Sequence, residues 1–265
     1  MNLKAFFCGM ALVALCAFAA AVQPASGPDT DAGYSPLPPR LSYLPFTIPR
    51  LPPGIDGVHA IKESYVNIEM HDYAGAGVII EKSIILTNAH VVLDDDGDPR
   101  QKRYSVSLYD GERVRGYYLA HSKTYDIAIL SVPEDFGTPV SLASQEVSVG
   151  QDVVAVGNPN SGRWVAKGIV LALDLQVRHD FVPDRSDIAV RMFVMNAAIV
   201  PGYSGGPVVH PVTGEVYGIS VGLARRYIDP VTGKWVTPPT RVGVAMHIQD
   251  ILTELEKLRA TPPLI

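Results

Sequence analysis

From Gly54 to Met246 the chain is a succession of short aliphatic and β-branched runs, each cut off by Gly, Pro, Asp or Asn. The runs are Ser64–Met70, Gly77–Ile80, Ile84–Thr87, Tyr104–Tyr109, Ile127–Val132, Val153–Val156, Val165–Leu173, Ala189–Met195, Val208–Val209 with Val216–Val221, and Val242–Met246. Such residues suit a pleated, half-buried backbone, and stretches this short are too brief for stable helices. Many short strands at this spacing point to an antiparallel barrel or sandwich. Two Pro-Val-Thr-Gly segments, within 210–214 and 229–233, read as hairpin tips, the second joining Arg225–Ile228 to Lys234–Thr237. Only the end has a helical period: Ile248, Ile251, Leu252, Leu255 and Leu258 share one face, and Pro262 closes it.

The 265 residues, 47% hydrophobic and 18% charged, suffice for a core and suit one large or two small all-β domains. A net charge of -5, with both signs interspersed, leaves no basic stripe for nucleic acid. The chain opens with Lys4, an uncharged run from Ala5 to Ala21 and the series Ala17-Phe18-Ala19-Ala20-Ala21. This reads as a secretory signal peptide over 1–21, with cleavage after Ala19 or Ala21. An uncleaved anchor is the alternative; a lipidated Cys16 would have Leu15 where a small residue is expected. Residues 22–53 hold nine prolines and form a linker or a strapped arm, with Leu41, Tyr43, Leu44, Phe46 and Ile48 available for docking. No later segment is apolar enough to span a bilayer, so no membrane association is expected once the signal is removed.

The strongest local signal is Pro201-Gly202-Tyr203-Ser204-Gly205-Gly206-Pro207. Glycines around a serine let the backbone turn sharply, present the hydroxyl and aim N–H groups into one hollow. The N–H groups of Gly202 and Ser204 could stabilise an oxyanion; an ordinary glycine-rich turn reads the same way. Upstream, an apolar strand runs into Thr87-Asn88-Ala89-His90-Val91-Val92, and Asp126 directly precedes the strand Ile127-Ala128-Ile129-Leu130. A serine nucleophile needs a neutral imidazole to take its proton, and that imidazole needs a carboxylate to fix its tautomer. His90, Asp126 and Ser204 supply all three, each at a strand edge.

These segments resemble the chymotrypsin superfamily of serine proteases, and within it the bacterial HtrA (Deg) proteases. Ala155-Val156-Gly157-Asn158-Pro159, Gly168-Ile169-Val170 and the approach Ala197-Ala198-Ile199 to the serine loop extend the match collinearly over about residues 60–250. The resemblance implies an all-β fold of two antiparallel six-stranded barrels with a C-terminal helix. The protease domain would cover 54–260, with barrel one at 54–137, barrel two at 138–247 and the helix at 248–260. His90 and Asp126 would come from the first barrel, Ser204 and the oxyanion donors Gly202 and Ser204 from the second. It implies a serine endopeptidase acting on unfolded or extended polypeptide through an acyl-enzyme, with no metal or cofactor. Ile199 would line the primary specificity pocket, and Ser220, Val221 and Gly222 would form its wall and pair with the substrate backbone. A bulky aliphatic there favours small or medium apolar residues at the cleavage site; core packing accounts for Ile199 and Val221 equally well. In the trypsin branch the serine matching Ser220 supports the triad acid.

Both cysteines, Cys8 and Cys16, lie in the leader. A mature chain without disulfides suggests a bacterial periplasmic or secreted product rather than an animal one. Tyr203 stands where relatives carry Asp or Asn, and is expected to shape or partly cover the leaving-group side of the cleft. Asn196 replaces a frequent acid. The sequence ends after one helix, where HtrA proteins continue into a PDZ domain. The second function class is a peptide-binding or chaperone-like module with latent or lost catalysis, and the arm could act as a pro-segment. Asp94-Asp95-Asp96-Gly97-Asp98 could attract calcium, but Pro99 stands where an EF-hand loop needs glycine. The histidines at 59, 71, 121, 179, 210 and 247 lack metal-ligand spacing, so surface or turn roles are expected for them. The natural substrate and the oligomeric state are not encoded in any recognisable signal.

Overall fold

A computed structural model describes residues 56–70, 74–159, 163–177, 190–224, 226–229, 231–238 and 240–260, all within the unit Ile48–Ile265. The signal peptide at 1–21, the proline-rich arm at 22–53, His71 and His179 lie outside the described residues.

Helix α1 (Gly57–Ala60) leads into β1 (Tyr65–Glu69), β2 (Ala74–Glu81) and β3 (Ile84–Thr87). Helix α2 (Ala89–Val92), β4 (Tyr104–Ser107), β5 (Arg113–His121) and β6 (Ala128–Ser131) follow. The six strands close into an antiparallel barrel in the order β1-β2-β3-β6-β5-β4. The second half contains β7 (Asp152–Gly157), β8 (Trp164–Val177), β9 (Val190–Met195), β10 (Pro207–Val209) and β11 (Val216–Leu223). The two-residue strands β12 (Tyr227–Ile228) and β13 (Trp235–Val236), then β14 (Gly243–His247) and helix α3 (Ile248–Ala260), complete the chain. Strands β8-β7-β10-β11-β14-β9 close on themselves through the β8–β9 pairing, and the β12–β13 hairpin is appended to β8. The architecture is thus the two six-stranded barrels and terminal helix that the resemblance implies.

Strand alternation assigns the cores. In β1, Val66 and Ile68 face the interior of barrel one with Ile79, Ile85, Leu130 and Phe136. Val153, Ala155, Phe193, Met195 and Ala245 fill barrel two. A third cluster joins the barrels: Ala76, Val78, Ile80 and Leu86 from the first pack with Val154, Val156, Val209, Ile219 and Met246 from the second. Ile248, Ile251 and Leu255 of α3 seal this cluster. Strand β2 is therefore buried on both faces, which is why Gly77–Ile80 reads as a continuous apolar run.

Three features depart from the sequence expectations. The strand β5 is absent from the expected runs: Arg113, Arg115, Tyr117 and Leu119 are exposed, while Val114, Gly116, Tyr118 and Ala120 are more buried. Helices α1 and α2 span four residues each, too short to show a period. Strand β8 also runs on to Val177 past a register shift at Ala172–Leu175, where Asp174 adopts a left-handed φ of 56°.

Candidate active site

Antiparallel pairing places Thr87 of β3 opposite Ala128 of β6. The residues just after one strand and just before the other therefore meet, and they are His90 and Asp126. The Asp126 carboxylate accepts the His90 backbone N–H at Oδ1 (2.9 Å) and lies 2.6 Å from His90 Nδ1 at Oδ2. An ionised carboxylate only accepts, so Nδ1 carries the ring proton and Nε2 is left as the basic nitrogen of the neutral ring. Asn88 Nδ2 donates to the Asp126 carbonyl at 2.8 Å, fixing the backbone as well as the side chain. All three residues are buried. Asn88 stood in the motif without a role; its adjacency to His90 was the only signal.

Ser204 sits on a loop bent by two left-handed glycines, Gly202 (φ 103°) and Gly205 (φ 81°). Asn158 N–H holds the Gly202 carbonyl (2.9 Å), and Tyr203 N–H reaches the Val200 carbonyl (3.2 Å). Barrel one grips the loop directly, because Ala76 N–H donates to the Ser204 carbonyl at 2.9 Å. A Cβ on Gly205 would overlap Ala76 O and Thr87 Oγ1, so the serine loop is pressed against the strand end that leads to His90. Gly75 completes the junction: a Cβ there would stand 2.7 Å from Val91 Cγ1 and 3.4 Å from Ser204 O. Among the described residues, no backbone acceptor takes the N–H of Gly202 or of Ser204. The Ser204 hydroxyl donates to the Val221 carbonyl at 3.0 Å. Val221 is the bulged residue in the β11–β14 pairing, between Ser220 and Gly222, so the ladder leaves its carbonyl available.

The remaining predicted positions separate into two groups. Ser220 is backbone-bonded to Gly205 and Gly206, at 2.9 and 2.8 Å, and so joins β11 to the serine loop. Its hydroxyl has no partner among the described residues, so the support for Asp126 suggested by the trypsin branch is not formed. Ile199 is buried on β14: a Cβ on Gly243 would lie 2.8 Å from its Cδ1 and 3.3 Å from Met195 Cε. Tyr203 does not cover the cleft. Its ring packs on the Gly157 backbone inside barrel two, because the turn at Gly202 swings it inward, and burial pushes its phenol pKa up. Asn196 has a local task, its Oδ1 accepting Ile169 N–H at 2.8 Å.

Elsewhere, Asp94 Oδ1 accepts the N–H groups of Asp96 and Asp98, turning the acidic loop on itself. No three His, Cys, Asp or Glu side chains converge on a metal-sized site among the described residues. None of their helices is long and apolar enough to cross a membrane. His210 Nδ1 accepts Val212 and Thr213 N–H at 3.1 Å each, a turn role as expected. His247 is not at the surface: it is fully buried, edge-on to Phe193, and burial followed by the Arg191 charge holds its pKa below the usual histidine value.

The family described as the trypsin-like peptidase domain matches residues 75–219, the stretch that carries His90, Asp126 and Ser204. The chain belongs to the trypsin-like peptidases. It is 33% identical over 195 residues to the serine protease Do-like HtrA of Bacillus subtilis, covering 70% of this chain and 39% of that protein. It is 31% identical over 205 residues to a probable periplasmic serine endoprotease DegP-like of Halomonas elongata, covering 76% of this chain and 38% of that one. This trypsin-like chain therefore spans about two-fifths of the length of these relatives. Among solved structures, Rv3671c of Mycobacterium tuberculosis superposes in an inactive form with a TM-score of 0.64, at 23% identity over 80% of this chain and 94% of that one. Its active form gives 0.63, at 23% identity over 80% and 87%. These structural likenesses carry the fold.

Proposed function

We propose that this protein is a serine endopeptidase in which Ser204 attacks the scissile carbonyl, His90 relays the proton and Asp126 fixes His90. The observation that carries the proposal is the buried His90–Asp126 pair, joined at 2.6 and 2.9 Å, with the Gly202–Gly205 loop pressed against the same strand end. To react, the Ser204 hydroxyl rotates away from the Val221 carbonyl and gives its proton to His90 Nε2 as Oγ bonds to the carbonyl carbon. The imidazolium is stabilised by Asp126. The oxyanion takes the Gly202 and Ser204 N–H groups, donors commonly worth about 3–4 kcal/mol of barrier each. The tetrahedral intermediate expels the amine, which leaves with the proton from Nε2, and water then hydrolyses the acyl-enzyme. These are acyl and proton transfers for which the three side chains suffice.

Beyond Ser220, whose backbone is bonded to Gly205 and Gly206, Val221 and Gly222 lie where β11 has outrun β10 and the serine loop, and Ser220 anchors this edge. An extended polypeptide substrate adds there as a strand, which favours unfolded segments. Ile199, packed over Gly243, would floor the primary pocket and suit it to small or medium apolar residues. Residues 1–21 export the chain to the periplasm or medium. A fluorophosphonate should add one mass increment to wild type and none to Ser204→Ala, and a peptide library should return small or medium apolar residues before the cut. Wild type that neither labels nor cleaves casein would sink the proposal.

The bond from Ser204 to Val221 favours a second reading, a peptide-binding module with latent catalysis. Equal binding of unfolded protein by wild type and Ser204→Ala, without turnover, would select it.

A further inference from the structure

We infer that Glu254, on the C-terminal helix, is a positioning residue for the active site: through Ser122 it fixes the turn that presents Asp126 to His90. The inference rests on the catalytic reading above for its consequence, but not for its geometry. The Ser122 hydroxyl donates to Glu254 Oε1 at 2.5 Å and accepts the N–H groups of Thr124 and Tyr125, each at 2.9 Å. One donated and two accepted bonds match the single proton and two lone pairs of a hydroxyl. The proton must point away from the turn if both lone pairs are to serve it, and an acceptor on α3 provides that direction. Ser122 N–H also donates to the Ile127 carbonyl at 2.9 Å, and Ile127 N–H to the Tyr125 carbonyl at 2.8 Å. Asp126 is enclosed by these bonds, so its backbone cannot move without breaking the turn.

Glu254 is only 5% exposed and Ser122 1%. Burying a carboxylate is costly, and the neighbouring helix residues Ile251 and Leu255 bury apolar side chains on the same cluster. Packing alone would be served better by a leucine at 254. The second carboxylate oxygen is held by Lys257 Nζ at 2.9 Å, which sets the rotamer aiming Oε1 at Ser122.

The test uses the full chain with Glu254→Leu, Glu254→Gln and Ser122→Ala, thermal melts checking that each folds. Kinetics on a peptide substrate are paired with proton NMR of the low-field resonance of His90 Nδ1–H, assigned by its loss in His90→Ala. Glu254→Leu should lower kcat by roughly 10- to 100-fold, as small misplacements of catalytic groups do. KM should stay unchanged, and the resonance should shift or broaden. Glu254→Gln keeps an acceptor oxygen and should restore most of both signals. Ser122→Ala, a smaller change that retains the fold if Glu254→Leu does not, should act in the same direction. The double variant should lose no more than the worse single one, because both cut one path. A folded Glu254→Leu with unaltered kcat and resonance, or additive losses, would overturn the inference. If wild type gives the resonance but no turnover, the catalytic reading fails while the resonance in Glu254→Leu still decides this one. Absence of the resonance from wild type would overturn both.

Discussion

Asp126→Asn should abolish almost all turnover while leaving the fold intact, and the geometry says why an isosteric change is so damaging. In the native pair the carboxylate accepts two hydrogen bonds from His90, one from the backbone N–H at 2.9 Å and one from Nδ1 at 2.6 Å. An asparagine amide can accept with its oxygen only; its nitrogen must donate. The backbone N–H is a donor under all conditions, so the amide oxygen must turn to it. The amide nitrogen then faces the ring, and Nδ1 can meet it only as an acceptor. That forces the ring proton onto Nε2, the atom that has to receive the Ser204 proton. The base is present, in place, and in the wrong tautomer. A loss of about 10⁴-fold in kcat is expected, or about 5.4 kcal/mol of barrier, with KM little changed because Asp126 touches no substrate. Steady-state kinetics on a peptide substrate, corrected by active-site titration, would measure it, and nitrogen shifts of His90 would report the tautomer. Retention of kcat within about tenfold of wild type, against the expected 10⁴, would refute the tautomer argument.

Four further outcomes follow from the packing. Gly205→Ala should fold poorly and fail to label at Ser204, because its Cβ would overlap Ala76 O and Thr87 Oγ1 at a φ of 81°. Gly97→Ala, left-handed at 85° but with open space around it, should cost only the backbone penalty of about 1–2 kcal/mol in chemical denaturation. Ile199→Ala should deepen the pocket over Gly243 and raise the kcat/KM ratio for leucine over alanine before the cut by roughly tenfold or more; an unchanged profile would remove Ile199 from specificity. His247 has its pKa lowered from 6.5 by burial, so the unfolded chain binds its proton more readily than the folded one. Its contribution to stability is present above pH 6.5 and is lost as pH falls through the lower folded value. His247→Leu should therefore flatten the acid side of the stability–pH curve, where Arg191, Glu146, Asp250 and Asp174 remain the neighbouring charges.

The pairing of His90 with Asp126 was legible because each sits at the edge of a strand whose apolar pattern shows in one dimension, and the sharp turn around Ser204 because glycine marks a left-handed φ. Strand β5 was not, since barrel one covers only its inner face and Arg113 and Arg115 occupy the outer one. Tyr203 was misread for a related reason: its place beside Ser204 suggested the cleft, but its ring packs on the Gly157 backbone of β7, a partner that adjacency in sequence does not show. The same holds for His247, whose partner ring Phe193 lies on another strand.

What unites these misreadings is that the site is assembled at a seam. His90 and Asp126 meet through β3–β6 pairing inside barrel one, and the loop that carries Ser204 comes from barrel two, pressed at Gly205 against Ala76 and the Thr87 end of β3. The apolar cluster between the barrels also holds Ile248, Ile251 and Leu255, so α3 is packed on the seam and not beyond it. A helix in that position can reach residues just upstream of Asp126, which is how Glu254 comes within 2.5 Å of Ser122 across more than a hundred residues of sequence. Stability of the seam and competence of the triad should therefore fall together when α3 is loosened by Ile251→Ala, a buried truncation expected to cost about 2–5 kcal/mol. Loss of Ser204 labelling at a lower denaturant concentration than the loss of barrel-one structure would be its signature, and coincident loss in every variant would show instead that the two barrels and the helix come apart only as one.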